Sequence, residues 1–202
     1  MDVLKIETRR LVENIYVLIK NDSAIIIDPG YEYESVVDLI ENRKLKPQMI
    51  LLTHGHADHI ASCESLREKY NIPIYANENE KELLKDPNLN LSASMYGPIS
   101  LEADFLINEG SKVEFEGENI EFIYTPGHTI GSQIIKIGTN LFTGDTLFRN
   151  SIGRTDLPTS SVKDMKNSLE KIKLLDDELI VYPGHNSQSS IGDEKKYNQF
   201  LI

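Results

Sequence analysis

The sequence predicts a layered α/β domain, and three observations predict it. Short apolar runs of strand length recur along the chain. Between them lie stretches whose apolar residues return every third or fourth position, the spacing of a helix face. The two kinds of segment are interleaved rather than grouped, which favours helices layered on sheets. The chain has 202 residues, of which 40% are hydrophobic and 26% charged, enough to bury one core and too few for several. A single domain over residues 1–202 is therefore expected.

The elements follow in order. Apolar runs cover Asn14 to Lys20 and Ala24 to Asp28, with the turn signal Asn21-Asp22 between them, so a hairpin is expected. Asp28-Pro29-Gly30 stops the second strand sharply. Val36, Val37 and Ile40 mark a helix, and Met49 to Thr53 a buried strand. Ile60, Cys63, Leu66 and Tyr70 place a single helix starting near Asp58. The stretch from 77 to 100 is polar and mixed, broken at Pro87 and Gly97-Pro98, with a short helix from Glu80 to Lys85. Strands return at Ile120 to Thr125, Gln133 to Ile137 and Leu141 to Thr143. Val162, Met165, Leu169 and Ile172 mark a helix whose N-cap is Ser161, partnered by Asp164. Glu178 to Tyr182 reads as the last strand and Asp193 to Phe200 as a terminal helix.

Composition narrows the function classes. With 21 basic and 32 acidic side chains the net charge is -11, which argues against nucleic acid, whose phosphates need clustered Lys and Arg. The single cysteine, Cys63, rules out an intramolecular disulfide framework and cysteine-rich zinc sites. No segment reaches the roughly 18 apolar residues of a membrane helix. The start, Met1-Asp2-Val3-Leu4-Lys5, lacks the regions of a signal peptide, and Asp2 excludes N-myristoylation. A cytoplasmic protein with no membrane partner is expected.

The five histidines carry the chemistry. His54, His56 and His59 fall within one string, His54-Gly55-His56-Ala57-Asp58-His59, while His128 and His185 each end a Pro-Gly-His turn. Each follows an apolar run, and Thr143-Gly144-Asp145 repeats the form with a carboxylate. Four strands thus run into four tight turns, and ligands at the carboxyl ends of adjacent strands converge on one rim of a sheet. Imidazole nitrogen suits zinc, iron and manganese, and a carboxylate can bridge two cations. On an extended backbone His54 and His56 share a side, while adjacent Asp58 and His59 diverge. One string therefore presents two ligand pairs to two centres, which His128 and His185 complete and Asp145 bridges. Isolated histidines are usually ordinary surface or core residues, but that reading needs five separate coincidences here.

These residues resemble the metallo-β-lactamase superfamily: His54-x-His56-x-Asp58-His59, then His128, Asp145 and His185, with Asp28 matching an early aspartate. The resemblance covers nearly the whole chain. It implies an αββα sandwich of two mixed β-sheets flanked by helices. It also implies two divalent metal ions, Zn2+ before Fe or Mn. His54, His56 and His128 are then ligands of the first, Asp58, His59 and His185 of the second, and Asp145 of both. The implied nucleophile is a hydroxide shared between the metals, which Asp58 also serves catalytically by orienting it or handling a proton.

Gly144-Asp145-Thr146-Leu147-Phe148, Gly153-Arg154-Thr155-Asp156 and Ile191-Gly192-Asp193-Glu194-Lys195 resemble the short bacterial members of the glyoxalase II-like branch. That branch implies a hydrolase of hydroxyacyl-glutathione thioesters, with a small-molecule thioester as partner. Full-length glyoxalase II enzymes carry an extra C-terminal helical region, which this chain is expected to lack. Asn186-Ser187-Gln188 and Ile152 also depart from the pattern, so weak discrimination for the thiol half is expected. The same superfamily offers a mononuclear non-haem iron persulfide dioxygenase using His54, His128 and Asp145, or a lactone or β-lactam hydrolase, as alternatives. Arg154 and Asp156 are candidates to pair and brace the loop after Asp145. Cys63 reads as a core thiol, Met95 and Tyr96 as an ordinary surface loop, and Lys195 and Lys196 as isolated charges.

Overall fold

The first apolar runs pair as the expected antiparallel hairpin in the computed structural model, which describes residues 1–9, 11–95 and 97–202. The chain divides into two units, Met1–Ile107 and Asn108–Ile202. In the first, β1 (Asp2–Glu7), β2 (Asn14–Lys20) and β3 (Ser23–Ile27) precede α1 (Tyr33–Asn42) and β4 (Lys46–Leu51). Then come α2 (Ala57–Ile60), α3 (Cys63–Tyr70), β5 (Ile74–Asn77), α4 (Lys81–Lys85) and β6 (Phe105–Ile107). The six strands form one sheet in sequence order, antiparallel from β1 to β3 and parallel from β3 to β6. Parallel strands covered by helices read as continuous apolar runs, and all of β3 is buried. Ile26, Ile50 and Ile74 are fully buried with Val36, Ile40, Cys63 and Leu66 in its core. Each such isoleucine contributes roughly 1.5–3 kcal/mol by leaving water.

The second unit contains β7 (Val113–Phe115), β8 (Glu118–Tyr124), β9 (Gln133–Ile137), β10 (Asn140–Gly144), β11 (Leu147–Phe148) and β12 (Ser151–Ile152). After these come α5 (Val162–Lys173), β13 (Ile180–Pro183), β14 (Ser189–Ser190) and α6 (Ile191–Tyr197). Its sheet runs β14-β13-β10-β9-β8-β7, with β10 and β13 parallel and the other neighbours antiparallel, while β11 and β12 form a separate hairpin. Both large sheets are mixed and accompanied by helices, as the resemblance implies. The Ser161 hydroxyl accepts from the Asp164 N–H and caps α5, whose Met165, Leu169 and Ile172 face the core.

Several expectations shift. The single helix near Asp58 is two, because the Ser62 N–H bonds to the Pro29 carbonyl at 2.9 Å instead of continuing the helical ladder. The terminal helix starts earlier, at Ile191, where Ser190 caps it through the Asp193 N–H, and it ends before Phe200 because Asn198 is extended. The edge strand β1 and the short β5, β6 and β7 were not visible in the apolar pattern. Asn90 holds the segment beyond α4, donating to the Leu84 and Ile99 carbonyls at 3.2 and 2.9 Å. Met95 is half-buried there, and Tyr96 lies outside the described residues. Lys195 is not isolated: its Nζ donates to the Leu175 carbonyl and Asp177 Oδ1, both at 2.6 Å.

Candidate metal centre

The first unit places His54 three residues beyond β4, His56 at the N-cap of α2, and Asp58 and His59 on α2 itself. His54 and His56 sit edge to face with ring centroids 4.9 Å apart, and the His59 ring lies 4.1 Å from that of His54. Asp28, directly after β3, organises them. Its Oδ1 accepts from the Thr53 N–H at 2.8 Å, and its Oδ2 accepts from the Thr53 hydroxyl at 2.6 Å and meets His59 Nδ1 at 3.0 Å. A carboxylate only accepts, so His59 carries its proton on Nδ1. Thr53 spends its one hydroxyl proton on Asp28, so at 3.1 Å it accepts from His54 Nδ1–H. Both rings are thereby fixed in the tautomer that leaves the Nε2 lone pair for a cation. Glu80, itself buried, holds the turn between His54 and His56 by accepting from the Gly55 N–H at 2.8 Å.

The second unit places His128 beyond the end of β8, Asp145 directly after β10 and His185 two residues beyond β13. Because β8 is antiparallel to β9, and β9 to β10, β8 runs in the direction of β10 and β13, so all three carboxyl ends share one rim. There Asp145 Oδ2 lies 3.5 Å from His128 Nε2 and 3.5 Å from His185 Nε2. His128 Nδ1 donates to the Arg154 carbonyl at 2.9 Å, which again leaves the Nε2 lone pair as the one that could face a cation. Gly127, at φ +146°, carries the chain past α5 where a Cβ would strike the Met165 backbone. Gly153 has no room for a Cβ either, since it would collide with the Asp145 carbonyl oxygen.

One expectation is corrected. The four ligand-bearing strands are not adjacent in one sheet: β4 belongs to the first sheet, and β8, β10 and β13 to the second, with β9 between β8 and β10. Within the first unit His54, His56, Asp58 and His59 are brought together; within the second, His128, Asp145 and His185 are. Their donor chemistry, imidazoles and carboxylates, fits divalent transition metals, and His54, His59 and His128 are oriented through their Nδ1 atoms. The sequence did not reveal the roles of Thr53, Glu80 or the Arg154 carbonyl. No local motif marks them, and only the fold brings them to the histidines.

Arg154 and Asp156 do pair, through two hydrogen bonds of 2.7 and 2.8 Å, and the Asp156 carboxylate raises the guanidinium pKa. The pair is exposed, so it adds little stability. Cys63 is fully buried, and burial holds its thiol pKa well above the ordinary value, as befits a core thiol. No helix among the described residues is long and apolar enough to cross a membrane.

Comparison with known proteins places these groups in a wider context. The family model described as the metallo-beta-lactamase superfamily matches residues 8–185. The chain is similar to the hydroxyacylglutathione hydrolase GloC of Haemophilus influenzae, 37% identical over 186 residues, covering 89% of this chain and 87% of that protein. Among solved structures it is similar to the BLEG-1 B3 metallo-beta-lactamase, with a TM-score of 0.94, 34% identity and the full length of both chains covered. It is also similar to TTHA1623 in a di-iron-bound form, with a TM-score of 0.89, 31% identity, and 98% and 100% of the two chains covered.

Proposed function

Because the chain belongs to the metallo-beta-lactamase superfamily, we propose that it is a dinuclear metal-dependent hydrolase of hydroxyacyl-thiol thioesters. In this reading His54, His56 and His128 hold one cation, Asp58, His59 and His185 the other, and Asp145 is shared. Zn2+ is the proposed metal, and the same donors accept iron or manganese. The observation that carries the reading is the position of Asp145: one oxygen stands 3.5 Å from the Nε2 atoms of both His128 and His185, which belong to different proposed ligand sets. A carboxylate that bridges two cations through one oxygen fits that arrangement.

Two bound cations supply a water acidified toward neutrality and a polarised carbonyl. The chain supplies the rest. Asp28 and Thr53 keep His59 and His54 in their ligating tautomers, and the Arg154 carbonyl does so for His128. In this reading Asp58, at 15% side-chain exposure, orients the attacking water and passes its proton to solvent. The hydroxyacylglutathione hydrolase relative supports the thioester, and the shared attack on a carbonyl accommodates it. The proposal includes a cytoplasmic setting, a small-molecule substrate and no nucleic-acid partner.

The BLEG-1 likeness favours a second reading, hydrolysis of a β-lactam by the same groups. Turnover of S-lactoylglutathione, a simple acyl thioester and a chromogenic cephalosporin, each with metal-loaded and chelated protein, tests both. We expect thioester hydrolysis by the loaded protein only, with little preference for the glutathione half. Cephalosporin turnover without thioester turnover establishes the second reading. Full thioester turnover by metal-free protein, or oxygen uptake with a glutathione persulfide in place of hydrolysis, overturns the proposal.

A further inference from the structure

We propose that the C-terminal helix positions the Asp145 and His128 ligands, with Glu194 and Asn198 as its positioning residues; this rests on the metal-ligand reading above. The chain leaves Asp145 into the β11–β12 hairpin, which has only two residue pairs, Leu147 with Ile152 and Phe148 with Ser151. It turns through Asn150 at φ +58° and returns Gly153 against the Asp145 carbonyl. The next residue, Arg154, presents the carbonyl that orients His128. The hairpin therefore sets the spacing of two proposed ligands, yet a two-stranded hairpin this short does not hold its own shape in water.

What holds it comes from the far end of the chain. Glu194 and Asn198 are fully buried, four residues apart at the end of α6. Glu194 Oε2 accepts from the Asn150 N–H at 2.8 Å, at the tip of the hairpin. The Asn198 side-chain amide donates to the Ser151 carbonyl at 3.0 Å and the Phe148 carbonyl at 3.4 Å, spanning both strands, and to Glu194 Oε2 at 2.8 Å. Asn198 Oδ1 accepts from the Phe200 N–H at 3.1 Å, so the amide cannot reverse without losing contacts on both sides. Removing this clamp takes the amide donor from the part-buried Phe148 and Ser151 carbonyls, and the hairpin relaxes around the site. The exposed Arg154–Asp156 pair in the following loop is no substitute.

The test uses full-length protein loaded with cobalt(II) alone, reading the dissociation constant by chelator competition and the visible ligand-field spectrum. N198D replaces the donor by an acceptor facing two carbonyls and Glu194. It is expected to weaken cobalt binding by about 10- to 100-fold and to change the spectrum, the scale seen when the partners behind metal ligands are lost. E194Q keeps the acceptor oxygen and stays within about threefold of wild type. K195M removes a different anchor of the same helix, at Leu175 and Asp177, and is expected to lower Tm while leaving affinity and spectrum unchanged. If N198D does not fold, N198A replaces it with the same expectation. Wild-type affinity and spectrum in N198D, or equal changes in K195M, overturn this inference alone. Failure of the wild type to bind cobalt overturns the metal reading and this inference with it.

Discussion

Asp28 sits in the left-handed region, at φ +49°, and from there reaches the backbone and hydroxyl of Thr53 and the ring of His59. Asparagine tolerates the same backbone and has nearly the same shape, but must turn an NH2 toward one of these donors. Asp28→Asn is therefore expected to fold normally and to bind metal about 10- to 100-fold more weakly, measured by chelator competition. Affinity equal to wild type would count against the tautomer argument. Cys63 gives a pH prediction. Burial raises its folded pKa, so the unfolded thiol ionises first as pH rises. The stability this lends is present below the unfolded pKa, about 8.5, and is lost as pH climbs past it. Urea unfolding at pH 7 and pH 9.5 is expected to show a larger loss for wild type than for Cys63→Ala; equal losses would refute the linkage. The histidines proposed as ligands are legible in the sequence because short strings carry them. The Asp28–Thr53 contact spans 25 residues and exists only through the parallel pairing of β3 and β4, which no local pattern displays.

At the scale of elements, legibility followed burial. Helix α5 was readable in advance because its cap, Ser161, and its buried stripe are both local features. Ser161→Ala removes the acceptor for the Asp164 N–H and is expected to cost about 1 kcal/mol, lowering Tm by roughly 2–4 °C without changing metal content. Thermal melts monitored by circular dichroism decide it, and an unchanged Tm would mean that water caps the helix equally well. Strand β1 escaped notice because Asp2, Lys5 and Glu7 line a sheet edge, where charge is favourable and apolar alternation weak. The helix break at Ser62 escaped for another reason: its cause is the Pro29 carbonyl, remote in sequence.

At the scale of the whole chain, seven side chains with metal-ligand chemistry are carried by two sheets, four from the first unit and three from the second. The order of strings along the sequence is enough to point to them as candidates and to the family, because turn residues and ligand types are local. The division of strands between sheets was not legible, since apolar runs look alike in either sheet. These seven residues are proposed to serve two cations. Elemental analysis of purified protein, reconstituted with Zn2+ and desalted, measures this most directly. Two metal ions per chain are expected in the wild type, with a clear loss in Asp145→Ala, the proposed shared ligand. A wild-type protein that retains no metal, or an Asp145→Ala variant that keeps both ions, would contradict it.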